Sequence, residues 1–202
     1  MSGPGTPASP ADAGPRWGLL LAPGAGAGSD APGLVALAEA APPWFAVHRM
    51  DFPYRLAGRR APDRAPVLLA ALREAAAGLA AASGLPPHRL VLGGRSMGGR
   101  MASMAVAEGL PAAGLLLVSY PLHPPGRPEK LRTEHLPTLR LPCLFVSGDR
   151  DTFGTPAELT AETAVVPGRD LELVPGGDHG LRRREHLAAE LAGAWLRRRF
   201  PR

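Results

Sequence analysis

Several stretches of this chain are continuous apolar runs only four to six residues long, such as GLLLV within Gly114–Ser119 and CLFV within Leu141–Ser147. A run that short cannot make a stable helix, and a strand apolar at every position must be covered on both faces, as in a parallel sheet between helices. The candidate strands are Gly18–Ala22, Phe45–Arg49, Arg89–Gly93, Gly114–Ser119, Leu141–Ser147 and Asp170–Val174. Helical patterns fall between or after them, at Ala31–Ala41, Arg64–Ala82, Met97–Ala107, Pro156–Ala164 and Arg184–Arg199. Thr155-Pro156-Ala157-Glu158 reads as a capping box with proline at the first helical position. Asp63 is placed to cap the long second helix and Gly84 to end it. Strands alternating with helices predict an α/β three-layer sandwich around a mainly parallel six-stranded sheet.

A chain of 202 residues suits a single core. The first sixteen residues, MSGPGTPASPADAGPR, hold no apolar side chain larger than alanine after Met1 and read as a disordered tail ahead of a domain over 17–202. No signal peptide is evident and no run reads as long enough to span a bilayer, so the expectation is a cytoplasmic protein without a membrane partner. Cys143, the only cysteine, sits in an apolar run. That excludes an internal disulfide and a cysteine-based metal site, and it fits an inert buried thiol. The net charge of +5 raises the question of nucleic acid, but Lys130 is the only lysine and no aromatics interleave with the runs Arg182–Arg184 and Arg197–Arg199. A solvated helix face is the preferred reading, and no nucleic-acid partner is expected.

The chemistry-bearing segment is Leu90-Val91-Leu92-Gly93-Gly94-Arg95-Ser96-Met97-Gly98-Gly99-Arg100. It sets Gly94-x-Ser96-x-Gly98 between an apolar strand and a helix. A serine on a sharp strand-to-helix turn has its hydroxyl thrust out of the sheet, and small residues two positions to either side relieve the crowding. The following helix start points the Met97 N–H at any oxyanion formed there.

A serine hydroxyl is a weak nucleophile without an oriented base. Of the histidines after Ser96, His123 lies among prolines, and His135 and His186 fall in charged helical or loop patterns. His179 stands in Pro175-Gly176-Gly177-Asp178-His179-Gly180, directly after the last strand. The loop after the preceding strand, Ser147-Gly148-Asp149-Arg150-Asp151, offers two acids. Asp151 is preferred on its spacing from Gly148, with Asp149 as the alternative. The glycine-rich loop Pro23-Gly24-Ala25-Gly26-Ala27-Gly28 after the first strand can supply a second oxyanion donor, the Ala25 N–H, with help from Gly26. It can also be read as a phosphate cradle. However, the P-loop Lys-Ser/Thr pair is missing and its spacing departs from G-x-G-x-x-G.

The stretches APGAGAGSD, MDFPYRLAGRRAPDRAP, LVLGGRSMGGRMAS, SYPLHPPGRPEKLR, LPCLFVSGDRDTFGTP and GGDHGL together resemble the α/β-hydrolase superfamily. In detail they resemble the dienelactone-hydrolase-like family that contains testis-expressed protein thirty and the third subunit of the NSL chromatin complex. The resemblance implies a minimal α/β-hydrolase fold, with Ser96 as nucleophile, Asp151 as acid and His179 as base. No defined substrate follows from the resemblance; with that triad the expectation is hydrolysis of a small ester, thioester or related acyl substrate by a monomer or homodimer without metal or organic cofactor. Some relatives look like scaffold subunits, which gives a hydrolase-shaped binding protein as the alternative. This chain departs from many superfamily members in having Pro23-Gly24 where they have histidine-glycine. Gly24, Gly26 and Arg95 are the candidate substrate-binding residues. Arg95 and Arg100 flank the serine, and Arg59-Arg60 lie in a loop that can approach it. These arginines read equally as anion recognition or as structural donors to loop carbonyls. The proline-rich segment between Tyr120 and Arg140 is too short for a lid domain, so an open site is expected.

Overall fold

The computed structural model describes residues 14–202. The tail expected over 1–16 therefore lies almost entirely outside the described residues. Six strands, β1 (Trp17–Ala22), β2 (Phe45–Arg49), β3 (Leu90–Arg95), β4 (Gly114–Val118), β5 (Cys143–Gly148) and β6 (Arg169–Val174), form one sheet in the order β2-β1-β3-β4-β5-β6. Every pairing is parallel. The sheet is thus wholly rather than mainly parallel.

The apolar runs follow from this sheet being covered on both sides. Side chains alternate across a strand, so Leu20, Leu92, Leu115, Leu117 and Phe145 enter one core, beneath α3 (Ala65–Ser83), α4 (Met97–Ala107) and α5 (Pro156–Thr163). Leu19, Leu21, Val91, Leu116, Leu144 and Val146 enter the other, beneath α1 (Pro32–Glu39) and α6 (Glu185–Arg199). Cys143 is buried in the first, where desolvation pushes its thiol up to about 12, so it stays protonated and inert. Trp195 fills the second core, and its indole N–H donates to Asp170 across 2.7 Å. Arg198 and Arg199, at the end of α6, pair with the same carboxylate at 3.7 and 3.1 Å.

Local signals explain two helix ends directly. Thr155 and Glu158 form the expected reciprocal capping box on α5, and Gly84 ends α3 at φ +67°. Asp63 does not cap α3. Arg64 is the residue at the cap, and the proline at the second helical position, Pro66, has no N–H for an acid to satisfy. Asp63 instead pairs with Arg59 at 2.7 Å. The single-turn helix α2 (Pro53–Leu56) was not expected, and it carries the buried Tyr54. The expectation that no run is long enough to cross a bilayer also needs correction. By length and composition α3 qualifies, with 19 residues and a mean hydropathy of 1.4. Its leucines, Leu68, Leu69, Leu72 and Leu79, are buried against the sheet, which accounts for that composition as a core stripe.

Candidate active site

The turn from β3 to α4 puts Ser96 at φ 50° and ψ −115°. A non-glycine residue with positive φ is costly and persists only where its surroundings hold it there. Here the Ser96 N–H donates to the Val118 carbonyl at 2.8 Å, and its own carbonyl accepts from the Arg100 N–H at 3.0 Å. The end of β1 lies so close that a Cβ on Gly94 or on Gly98 would land on the Ala22 carbonyl. Both glycines are therefore required by backbone-to-backbone packing, and Gly94 also sits at φ +146°.

Ser96 Oγ lies 2.9 Å from His179 Nε2. On the other side of the ring, Nδ1 lies 3.0 and 2.9 Å from the two carboxylate oxygens of Asp151. The Asp151 side chain is fully buried, whereas His179 keeps 20% exposure. Two more donors fix the carboxylate: the Phe153 N–H to Oδ1 at 2.8 Å and the Ser147 hydroxyl to Oδ2 at 3.2 Å. The structure thus brings the preferred Ser96, Asp151 and His179 together. Asp149 is exposed, and its carboxylate accepts from the Gly176 N–H at 2.8 Å, tying the acid loop to the histidine loop. The Arg150 N–H adds a 2.9 Å bond to the Gly177 carbonyl, and a Cβ on Gly148 would strike that same carbonyl. The remaining downstream histidines stand apart from this chain of contacts. His123 is buried beside Glu158 at 3.4 Å, His186 is exposed on α6, and His135 contacts Ser103.

Beside the hydroxyl, an open cleft of about 440 Å³ is lined by Gly24, Ala25, Met97, Arg100, Arg132 and Phe153 among others. Among the described residues neither the Ala25 nor the Met97 N–H has a hydrogen-bond acceptor, and both residues line this cleft. Gly24 belongs to the same wall, since a Cβ there would lie 3.6 Å from that of Ser96. Gly26 does not serve as a second donor: its N–H is committed to the Tyr54 hydroxyl at 3.1 Å. Tyr54 thereby sets the shape of the loop that carries Ala25.

Arg95 also lines the cleft, and its guanidinium donates to the His179 carbonyl at 2.7 Å, holding the histidine loop from behind. Burial lowers its pKa from the ordinary arginine value, against the opposing pull of Glu185, Asp178 and Asp151. Arg59 and Arg60 are exposed and absent from the cleft lining, with Arg59 turned to Asp63. Sequence reasoning missed Phe153, whose ring stacks on the imidazole at 3.9 Å between centroids and 24° between planes. It also missed Tyr54 and Arg132. All three lie in the stretches that carried the resemblance, but none has a spacing that singles it out.

A buried polar network lies under the far wall. Ser103 on α4 bridges His135 Nε2 at 2.8 Å and the Arg100 carbonyl at 2.9 Å, and the Tyr120 hydroxyl donates to the Arg132 carbonyl at 2.8 Å. Burial, then the nearby Arg100 charge, lowers the His135 pKa. A histidine held neutral in the folded state binds its proton more readily once unfolded. Its contribution is therefore fully present above the unfolded pKa and is lost as pH falls through about 6.5 toward the lower folded value. Denaturant titrations at pH 7.5 and pH 5.5 are expected to show a drop in stability that is smaller in His135→Gln.

A parallel sheet in this order, with a serine on a positive-φ turn at the C-terminal end of its third strand, is the architecture of the α/β hydrolases. The chain belongs to that family: the family of alpha/beta hydrolase domains matches residues 15–197. The fold is similar to an alpha-beta serine hydrolase homologue from Coxiella burnetii, at a TM-score of 0.73 and 17% identity over 91% of this chain and 86% of the other. It is also similar to dienelactone hydrolase from Anabaena variabilis, at 0.73 and 20% over 92% and 88%. A third likeness, at 0.70 and 18% over 96% and 87%, is to an α/β serine hydrolase without lid from Xanthomonas campestris. The segment between β4 and β5 likewise forms no lid here: it runs as loop with a single 3₁₀ turn at Leu136–Thr138.

Proposed function

We propose that this protein is a serine hydrolase that transfers the acyl group of a small ester, thioester or related substrate to water. The observation that carries the reading is the 2.9 Å approach of Ser96 Oγ to an imidazole whose other nitrogen faces a buried carboxylate. In this mechanism Ser96 Oγ attacks the carbonyl carbon while its proton passes to His179 Nε2. The Ala25 and Met97 N–H groups receive the oxygen as it becomes negative. Asp151 holds Nδ1–H and stabilises the imidazolium. Collapse of the tetrahedral adduct returns the proton to the leaving group and leaves an acyl-serine. A water, deprotonated by the same histidine, then releases the acid and regenerates the hydroxyl. The open cleft favours short or flexible acyl groups over long lipid chains.

A fluorophosphonate probe tests this directly, because it phosphonylates a serine only where the base and oxyanion donors are assembled. The expected result is stoichiometric labelling of the folded protein and none of Ser96→Ala. Absence of labelling on correctly folded protein would instead favour a hydrolase-shaped binding protein.

A further inference from the structure

Besides Arg95, which is committed to the His179 carbonyl, the cleft carries two guanidinium groups that the proposed hydrolysis does not use. Arg100 and Arg132 both line it, from α4 and from the segment between β4 and β5. No carboxylate among the described residues lies within ion-pair distance of either. The Arg100 Nε–H is buried without any hydrogen-bond partner. That nitrogen is closed off from solvent, so it marks a guanidinium that the protein itself leaves uncompensated, and the part of Arg100 that lines the cleft is what an outside acceptor would meet. The charges are also close enough to oppose each other. Burial first and the Arg100 charge second lower the Arg132 pKa, with only Tyr120 opposing them and no carboxylate among the causes.

The pair is held in place. Ser103, His135 and Tyr120 form the network described above, and it grips the main chains of both arginines, through the Arg100 carbonyl and the Arg132 carbonyl. Ser103 and Tyr120 are buried, so this anchor is inaccessible as chemistry and serves as rigid support. Holding two like charges together without a counter-ion costs stability in the empty protein, and it is repaid only when an anion binds.

We infer that Arg100 and Arg132 form a carboxylate subsite, so that the natural substrate is an acyl compound bearing a free carboxylate a few bonds from the carbonyl that Ser96 attacks. The planar, forked guanidinium matches a carboxylate in paired hydrogen bonds, which gives orientation as well as charge. Arg100 lies one helical turn beyond Ser96 and lines the same cleft, so the subsite adjoins the nucleophile. A dicarboxylic half-ester of about six carbons, with the ester at one end and the free carboxylate at the other, is a suitable probe of that separation. This deepens the hydrolase reading by naming a substrate class, and it rests on that reading only for which bond is cut.

The test measures binding without turnover. In the Ser96→Ala background, calorimetric titration compares monomethyl adipate with neutral methyl hexanoate and with monomethyl phosphate. The half-ester is expected to bind at least about tenfold more tightly than the neutral ester, and that preference is expected to collapse to near unity on adding Arg100→Met or Arg132→Met. Arg132→Lys, which keeps charge but not the fork, is expected to fall between, and it serves if the methionine variant does not fold. Equal affinity for half-ester and neutral ester, or a preference that survives loss of both arginines, overturns the subsite. Tighter binding of the phosphate overturns the carboxylate assignment. Because this binding is read without Ser96, a preference for the half-ester together with no fluorophosphonate labelling of the protein that retains Ser96 would sink the hydrolase reading and keep the subsite.

Discussion

Asp151→Asn is expected to lower kcat/KM for a small neutral ester by about 10⁴-fold. The side chain keeps its shape, and its oxygen can still accept from the Phe153 N–H. Two things are lost. The negative charge that stabilises the imidazolium disappears, and one of the two positions within 3.0 Å of His179 Nδ1 becomes an N–H donor. A donor there favours the tautomer protonated on Nε2, which cannot accept the Ser96 proton. Asp149→Ala is the informative comparison. It removes a hydrogen bond to the Gly176 N–H, and it is expected to cost about 1 kcal/mol of stability with only a several-fold loss of rate. Steady-state kinetics beside thermal unfolding separate the two aspartates. Equal losses in both variants would remove Asp151 from the proposed mechanism.

The second large effect is structural. Gly94→Ala is expected to destabilise the fold by about 3–4 kcal/mol, because the new Cβ meets the Ala22 carbonyl as well as suffering an unfavourable φ. For a chain of this size that corresponds to a fall in Tm of about 10 °C. Gly109 isolates the conformational part: it also has positive φ, at +93°, but open space where its Cβ would go. Gly109→Ala is therefore expected to cost only about 1 kcal/mol, and the difference between the variants measures the clash. If calorimetry gave both the same loss, the tight packing of β1 against the serine turn would be refuted.

The sheet was legible in the chain because its strands are buried on both faces, so runs such as Leu115–Val118 needed no alternation to be recognised. The edge strand β6 is polar at several positions and was placed by its neighbours more than by its own composition. Helix α2 was not legible, since one turn opened by Pro53 has no periodicity to read. At the site, the two aspartates leave the same strand two residues apart, and what separates them is burial: Asp151 is 2% exposed and Asp149 lies at the surface. Spacing gave a preference, and only the packed loops show which carboxylate meets the imidazole. The arginines illustrate the opposite limit. Arg95 and Arg100 were singled out together as neighbours of Ser96 and both line the cleft, yet Arg95 is tied to the His179 carbonyl while Arg100 has no such partner. The contact that ties Arg95 down spans 84 positions in the chain, beyond the reach of any local pattern.

The bonds that knit the acid loop to the histidine loop run largely through main chain: Arg150 N–H to the Gly177 carbonyl, Gly176 N–H to Asp149, and Gly148 packed against Gly177. The opposite wall hangs on a separate set of side chains rooted in α4 and the β4–β5 segment. The two sets are joined at the Ser96 carbonyl, which accepts from the Arg100 N–H, and at the Phe153 carbonyl, which accepts from the His123 N–H. Side-chain substitutions between positions 120 and 140 that leave these main-chain bonds intact are therefore expected to alter what the cleft accepts while sparing the register of Ser96 and His179.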